Sequence, residues 1–122
     1  IPHKEAALVL MDELDEAAKA IGAVNTVVVE KGRLLGRNTD AEGFLEGLRA
    51  GLVPHHKRLE QHLGEVIVLG AGGAARAVIF ALLQAGAKKV TIFNRSQARA
   101  VALQQDFQGI GKSRLQVAAW ER

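Results

Sequence analysis

Glycine and alanine fill a turn near the middle of the chain, directly after a run of β-prone apolar residues. The run 66–69 leads into Gly70-Ala71-Gly72-Gly73-Ala74-Ala75, and an apolar stretch with helical character follows up to position 83. This Gly-x-Gly-x-x-Ala spacing, between a strand and a helix, is typical of turns that bind the diphosphate of a dinucleotide. The first glycine permits a tight exit from the strand, and the second lets phosphates approach the backbone. Residues 70–74 are therefore predicted to bind a dinucleotide.

The helix after this turn supplies the positive potential that a diphosphate needs. Its first N–H groups and the positive end of its dipole point at the turn, and the small Ala75 lets the helix pack close to the strand. The alternative is that these glycines only allow the chain to turn from the strand into the helix. The flanking pattern fits a β-α-β unit, and it favours cofactor binding.

A second group of polar residues stands at the end of the next predicted strand, 89–93. Asn94-Arg95-Ser96 follows that strand, and Arg99 lies one helical turn later. Dinucleotide folds contact the adenosine ribose here: an acidic residue favours NAD, whereas an arginine accommodates the 2′-phosphate of NADP. Arg95 and Arg99 are spaced so that both can reach one phosphate, and Ser96 can cap the helix and donate to the same phosphate. NADP is therefore the predicted cofactor, with a solvated arginine pair as the alternative.

The composition restricts the classes of partner and compartment. The 122 residues carry 16 basic and 13 acidic side chains, a formal net charge of +3, and the two signs are interspersed. Aromatic residues make up 4% of the chain and no basic run is longer than Lys57-Arg58, so no nucleic-acid surface is indicated. No apolar run reaches the length of a membrane span. The absence of cysteine excludes disulfides and thiolate metal sites, and it favours a reducing, cytoplasmic location.

Histidines are the remaining candidate metal ligands. His55, His56 and His62 lie in one polar segment, and their spacing is not that of a zinc site. They are interpreted as solvated linker residues, so no metal is expected.

These candidate residues are positioned by a chain in which helical and strand-like patterns alternate. The first part is predicted to contain an amphipathic helix over 5–21 that ends at Gly22, a strand over 23–30, a turn at 31–33, a returning strand over 34–37 and a helix over 41–50. Residues 51–64 are interpreted as a linker. The remainder is predicted to contain a strand over 66–69, a helix from 73, a strand over 89–93, a helix from 96 and a third parallel strand over 115–119.

The two parts meet in a cleft, and ligand sites concentrate at such junctions. The chain begins without an initiator methionine and stops just after the third predicted strand of the nucleotide-binding unit. It is therefore expected to be a piece of a longer protein.

Five motifs, in one order along the chain, together resemble the shikimate dehydrogenase family closely. They are Ile1-Pro2-His3-Lys4, Ile21-Gly22-Ala23-Val24-Asn25-Thr26-Val27, Gly36-Arg37-Asn38-Thr39-Asp40-Ala41-Glu42-Gly43-Phe44, the glycine-rich turn extended to Ala77, and Asn94-Arg95-Ser96. The resemblance implies reversible reduction of 3-dehydroshikimate to shikimate with NADPH, a step in aromatic amino-acid biosynthesis. Chains of this family are considerably longer, so this chain alone is expected to be inactive.

The resemblance also assigns roles to individual residues. It implies that Lys4 and Asp40 form the catalytic pair, that Asn25 binds the substrate with them, and that the glycine-rich turn and residues 94–96 bind NADP. The chemistry is consistent, because hydride addition to a ketone creates an alkoxide that a lysine ammonium can stabilise and protonate. A nearby carboxylate can orient that lysine. Without the resemblance, Lys4 is most simply a surface lysine and Asp40 a helix N-cap.

The expected fold class is α/β: a Rossmann-type parallel sheet with helices on both faces, preceded by the C-terminal part of an α/β substrate-binding domain. Residues 1–50 are assigned to the end of that substrate-binding domain with a connecting helix, 51–64 to a linker, and 65–122 to an NADP-binding Rossmann domain truncated at its C-terminus. The partners expected are a small-molecule substrate and, at most, a second copy of the chain, as a monomer or homodimer.

Two other functions remain open at this point. One is a relative that oxidises quinate, or both quinate and shikimate, or that uses NAD; Arg95 and Arg99 argue against NAD. The other is a non-catalytic nucleotide-binding module. Retention of both Lys4 and Asp40 argues against the module, because a sensor needs neither residue.

Overall fold

Two three-stranded sheets with their helices make up the computed structural model, which describes residues 2–55 and 58–121. The strands are β1 Glu13–Leu14, β2 Thr26–Glu30, β3 Arg33–Arg37, β4 Glu65–Leu69, β5 Lys89–Phe93 and β6 Leu115–Ala118. The α-helices are α1 Glu16–Ile21, α2 Asp40–Leu52, α3 Leu59–His62, α4 Gly73–Gln84, α5 Gln97–Asp106 and α6 Gln108–Gly111. Short 3₁₀ helices span Ala6–Leu10, Val53–His55 and Lys112–Arg114.

The first sheet has the order β1-β3-β2, with β1 parallel and β2 antiparallel to β3. Strands β2 and β3 form a hairpin in which Val28 pairs with Leu35. Lys31 and Gly32 connect them with φ values of +50° and +76°. Two positive φ values in a two-residue turn match the twist of the flanking strands. The predicted pair of strands with a turn at 31–33 is therefore confirmed, with slightly different bounds.

The helix predicted over residues 5–21 is wrong, because this segment folds as a 3₁₀ helix, the strand β1 and the helix α1. Backbone pairing with β3 competes with helix formation: the amides of Asp12 and Asp15 donate to the carbonyls of Leu34 and Gly36, each at 2.9 Å. The Asp15 carboxylate then accepts from the Ala18 amide and caps α1. The sequence pattern placed Asp15 and Glu16 on the polar face of one long helix. In the structure they instead lie at the start of the shorter helix α1. Gly22 ends that helix, as predicted, with a φ of +73°.

The second sheet is entirely parallel, in the order β4-β5-β6. Val66 pairs with Val90, and Val90 pairs with Leu115. Helices α4 and α5 form the crossovers, and the core between them and the sheet includes the fully buried Ile79, Ile92 and Phe107. This arrangement confirms the predicted α/β class with a Rossmann-type parallel sheet flanked by helices.

Strand β4 alternates between two faces, as the period of a strand requires. Val68 is buried in the core, whereas Ile67 and Leu69 are 66% and 70% exposed. Within residues 2–55 and 58–121, β4 has one hydrogen-bonded neighbour, β5, and so forms an edge of its sheet.

The segment 51–64, interpreted as a linker, contains more regular structure than that interpretation implies. Helix α2 runs to Leu52, and α3 carries Leu59 into the core, where Leu63 joins it. The two leucines are one helical turn apart, a spacing that buries both on one side. His55 and His62 are exposed, as expected, and His56 lies outside the described residues.

Small side chains join the first half of the chain, which contains β1–β3, α1 and α2, to the second half, which contains α3–α6 and β4–β6. Ala41 of α2 and Ala77 and Ala81 of α4 are buried together with Ile21 and Ala23 from the first half. Alanine at these positions lets the two helix backbones approach closely. The packing of α2 against α4 therefore positions the first sheet relative to the glycine-rich turn at the start of α4.

Candidate functional site

Lys4 and Asp40 are 36 positions apart in sequence, and the fold brings their side chains into contact. The Val24 amide donates to the Lys4 carbonyl at 2.7 Å, which ties Lys4 to the segment that leads into β2. Asp40 is the first residue of α2. Lys4 Nζ donates to Asp40 Oδ2 at 2.5 Å, with the side chains 22% and 31% exposed. The predicted pair therefore exists as a partly buried ion pair, open enough to contact a ligand.

The ion pair holds Asp40 in its charged form. Partial burial raises the pKa of Asp40, but hydrogen bonds from Lys4 and Asn25 and the charge of Lys4 outweigh that effect, so the pKa lies below its ordinary value. Asp40 is consequently a carboxylate at neutral pH, which suits a residue that orients an ammonium group.

Asn25 makes its hydrogen bonds within the protein. Its Nδ2 donates to Asp40 Oδ1 at 2.9 Å and to Thr39 Oγ1 at 3.0 Å. Its Oδ1 accepts from the Thr39 amide at 3.1 Å and from Thr26 Oγ1 at 2.9 Å. These bonds fix the amide beside Asp40. The predicted contact of Asn25 with substrate stays a prediction, and the geometry adds that Asn25 orients Asp40.

Asn38 is a positioning residue that the sequence analysis did not identify. It is 5% exposed; its Nδ2 donates to the Ala23 carbonyl, and its Oδ1 accepts from the Asp40 amide at 3.0 Å. The second bond is an Asx turn, in which an asparagine binds the backbone two residues ahead. Asp40 is the first residue of α2 and not its N-cap, the role that its sequence position alone indicates. Its carboxylate binds Lys4 and Asn25 instead of the helix backbone. Asparagine two residues before a helix start was the available signal.

The glycine-rich turn lies at the carboxyl ends of β4 and β5. Gly70 has a φ of +120°, a conformation that favours glycine, and its amide donates to the Phe93 carbonyl at 2.8 Å. A Cβ at Gly72, the N-cap of α4, would have open space within 4 Å. A cleft of about 330 Å³ adjoins the turn. It is lined by Pro2, Lys4, Glu5, Leu69, Gly70, Gly72, Gly73, Ala74, Ala75 and Arg99.

Gly73 joins the turn to the Lys4–Asp40 pair. A Cβ at position 73 would lie 2.9 Å from the Cβ of Lys4, closer than real side chains approach. The stem of Lys4 therefore packs on the backbone at the start of α4. The ammonium group that can protonate an oxygen and the turn that can hold a diphosphate consequently border the same cleft.

The residues after β5 adopt part of the predicted arrangement. Ser96 caps α5, since its Oγ accepts from the Arg99 amide at 3.4 Å, and Asn94 Nδ2 donates to the Ser96 carbonyl at 2.7 Å. Arg99 borders the cleft, but its Nη2 donates to Glu5 Oε1 at 3.1 Å. Arg95 is exposed. The structure therefore holds Arg99 on a carboxylate from the other half of the chain, a partner that the sequence analysis missed.

Residues 2–55 and 58–121 contain no group of three or more histidine, aspartate or glutamate side chains that could hold a metal ion. Among the same residues, no helix combines the length and apolar character that crossing a membrane requires.

Two family models match the chain. One, described as "Shikimate / quinate 5-dehydrogenase", matches residues 55–119, which is more than half of the chain. The other, described as "Shikimate dehydrogenase substrate binding domain", matches residues 1–27.

Individual relatives agree with the family models. The chain is 48% identical over 124 residues to an NADP(+) shikimate dehydrogenase from Rhodospirillum rubrum, covering 99% of the chain and 42% of that protein. It is 51% identical over 107 residues to one from Thermus thermophilus, covering 88% of the chain and 38% of that protein. The chain thus spans about two fifths of the length of such relatives.

The fold of the chain resembles solved structures of a shikimate dehydrogenase and of a quinate dehydrogenase. Shikimate 5-dehydrogenase from Thermus thermophilus, in complex with NADP(H) and shikimate, has a TM-score of 0.74 at 46% identity, covering 97% of the chain and 40% of that protein. Quinate dehydrogenase from Corynebacterium glutamicum, in complex with NAD, has a TM-score of 0.80 at 37% identity, with the same two coverages.

Proposed function

Since the chain belongs to the shikimate / quinate 5-dehydrogenase family, we propose that it provides the proton-transfer pair and cofactor turn of an NADPH-dependent shikimate dehydrogenase. The reaction is the reversible reduction of 3-dehydroshikimate to shikimate. One observation carries the proposal: the stem of Lys4, whose ammonium group binds Asp40, packs against Gly73, so the proton donor and the cofactor turn border one cleft.

The residues present suit NADP. Gly70 has the positive φ of a tight strand exit, and the open space at Gly72 leaves the backbone N–H groups at the start of α4 accessible to a diphosphate. Arg99, at the start of α5, supplies a guanidinium at the same cleft, and Arg95 supplies another on the exposed surface. We assign cofactor binding to Gly70, Ala71, Gly72, Gly73, Ala74, Asn94, Arg95, Ser96 and Arg99.

The chain's own residues supply the proton chemistry. Bound NADPH supplies the hydride that converts the ketone carbon to an alcohol carbon. Lys4 has three N–H donors, of which Asp40 occupies one, so another is available to the substrate oxygen as negative charge develops there. Lys4 then donates its proton to that oxygen, and in the reverse direction it accepts it. Asp40, itself held by Asn25 and the Asn38 turn, keeps the ammonium aimed at the cleft.

The domain division and setting belong to the same proposal. We assign residues 1–50 to the end of the substrate-binding domain with a connecting helix, 51–64 to the connection, and 65–122 to the cofactor domain. The enzyme acts in aromatic amino-acid biosynthesis, as a cytoplasmic monomer or homodimer. The cysteine-free sequence supports a reducing compartment.

The decisive test uses a chimera in which residues 1–122 replace the matching segment of the Thermus thermophilus relative. The chimera is expected to reduce NADP⁺ when shikimate is added. Lys4→Ala is expected to lower turnover by about two orders of magnitude or more, with NADP⁺ affinity unchanged, because the proton donor is lost. Turnover is measured by NADPH absorbance, and affinity by calorimetry.

Lys19→Ala is the matched control, because Lys19 is an exposed lysine paired with Glu16 outside the cleft. It is expected to leave turnover unchanged. A folded chimera without shikimate-dependent NADPH formation contradicts the proposed function. Near-normal turnover of Lys4→Ala contradicts the role of Lys4 alone.

A quinate dehydrogenase is the second candidate function. The similarity to the NAD-bound quinate dehydrogenase favours it, as does the Glu5–Arg99 ion pair, which opposes binding of a 2′-phosphate. Rates with shikimate and quinate, each with NADP⁺ and NAD⁺, distinguish the two. A higher kcat/KM for quinate with NAD⁺ would replace the first proposal by the second.

A further inference from the structure

Arg76 is a buried charge that the proposed chemistry does not use. It lies in an apolar stretch of α4, is 8% exposed, and has no contact with the Lys4–Asp40 pair among its hydrogen bonds in the described residues. Burial of an arginine is costly unless its donors are satisfied. The positions of its partners therefore indicate what the residue does.

The partners of Arg76 come from both halves of the chain. Its Nε donates to the Ile21 carbonyl, at the end of α1, at 2.6 Å. Its Nη2 donates to Asp106 Oδ2, at the end of α5, at 2.9 Å. One planar guanidinium therefore links the helix beside the first sheet, the helix that begins at the glycine-rich turn, and the helix that carries Arg99.

Two neighbours hold the guanidinium in this position. The ring of the fully buried Phe107 lies under it, with 5.4 Å from the guanidinium carbon to the ring centroid. In addition, a Cβ at Gly22 would lie 2.6 Å from Arg76 Nη2. Glycine at position 22 thus both ends α1 and leaves room for the guanidinium.

We propose that Arg76 is a positioning residue that fixes the orientation of the first half of the chain relative to the glycine-rich turn. The Lys4 ammonium comes from one half and the cofactor turn from the other, so the angle between the halves determines whether a ketone oxygen lies within reach of Lys4 when its carbon faces the cofactor. This inference rests on the proposed function, because orientation affects turnover only if hydride transfer occurs across the cleft.

The inference is tested by measuring kcat and KM for the chimera and for its variants Arg76→Met and Arg76→Lys. Arg76→Met removes both bonds, and kcat per folded enzyme is expected to fall by about tenfold to a hundredfold, since a small misplacement of reacting groups has effects of that size. The KM for NADP⁺ is expected to stay within about twofold, because the turn is intact. Arg76→Lys keeps the charge but lacks the planar fork, so an intermediate loss is expected.

Two further variants separate positioning from stability. Gly22→Ala keeps Arg76 but displaces its guanidinium, and at a φ of +73° it also strains the end of α1, so it is expected to lower stability as well as kcat per folded enzyme. Arg49→Met is the matched control, because Arg49 is an exposed arginine on α2 paired with Glu46 and Glu60. It is expected to change neither kcat nor KM. If kcat per folded enzyme is unchanged in Arg76→Met and Gly22→Ala while stability falls, the role is structural and the inference is wrong.

A distance measurement gives a readout that does not require activity. Glu30→Cys on β2 and Gln105→Cys on α5 place spin labels on exposed positions of the two halves, in a chimera freed of other cysteines; residues 1–122 contribute none. The distance distribution is expected to be narrow with Arg76 and at least twice as broad with Arg76→Met. An equally narrow distribution in the variant overturns the inference even if the enzyme is active. Broadening in a chimera that fails to oxidise shikimate overturns the proposed function and leaves the orienting contact in place.

Discussion

Asp40 has a different partner on each carboxylate oxygen, with Lys4 on Oδ2 and Asn25 on Oδ1. Asn38 fixes its backbone through the Asx turn. A carboxylate restrained in this way cannot rotate freely, so the ammonium of Lys4 is held in one direction. The resemblance of five motifs identified Lys4, Asn25 and Asp40. The Asx turn of Asn38 had a local signal in the sequence, whereas its bond to the Ala23 carbonyl joins residues 15 positions apart and needs the fold.

The lowered pKa of Asp40 predicts how the pair contributes to stability. A carboxylate whose folded pKa is depressed stabilises the fold above its unfolded pKa, about 3.9, and that contribution is lost as the pH falls through the folded value. The difference in free energy of unfolding between the native chain and Asp40→Asn is therefore expected to be constant from about pH 5 to 7 and to shrink below about pH 4. Urea unfolding across this range measures it.

Glu16→Gln provides the comparison, because Glu16 is an exposed carboxylate with a surface ion pair. It is expected to change stability little at any pH in the range. A pH-independent difference for Asp40→Asn down to pH 3 would show that the pKa of Asp40 is not lowered in the folded chain.

Helices and strands that depend on neighbouring residues were predicted correctly from the sequence. Structure that depends on partners distant in the sequence was not. The strand, glycine turn and helix over 65–84 follow from residues that are adjacent in the chain, and they form as predicted. The helix predicted over 5–21 fails because its backbone pairs with β3, some 20 residues away. The partners of Arg76, 55 and 30 positions distant, leave no periodic signal.

The burial of the segment 51–64 can be tested by mutation. Leu63 is buried in the core although its surroundings read as a polar linker. Leu63→Ala is expected to lower the free energy of unfolding by about 2–5 kcal/mol, because it leaves a cavity. Val53→Ala, in the same segment but 68% exposed, is expected to change it by less than about 0.5 kcal/mol. Urea denaturation measures both, and equally small effects would restore the linker interpretation.

The whole molecule consists of two sheets joined by the α2–α4 packing and by Arg76. Two of its exposed apolar side chains, Ile67 and Leu69, lie on β4, and they help to line an apolar cleft of about 770 Å³. Strand β4 is also an edge of its sheet in the described part of the chain. An exposed apolar edge strand is a template for pairing between molecules.

The 122-residue polypeptide, expressed alone, is therefore expected to self-associate as its concentration rises. Ile67→Lys places a charge on the exposed face of β4 and is expected to shift the polypeptide toward monomer. Val53→Lys adds the same charge at an equally exposed position outside any strand and is expected not to. Light scattering coupled to size exclusion measures the mass. A monomer at all concentrations, or equal effects of the two lysines, would exclude β4 as the contact.

Gly73 has a consequence for anyone who redesigns this chain. Its missing side chain leaves room for the stem of Lys4, so the fourth residue of the glycine-rich turn is constrained by a neighbour from the first half of the chain, apart from the cofactor binding proposed for it. A loop grafted from another dinucleotide-binding enzyme, with a larger residue at position 73, would collide with the stem of Lys4 and is expected to displace it. We therefore expect a replacement of this loop that changes the cofactor preference to leave Lys4 in place only if it retains glycine at position 73.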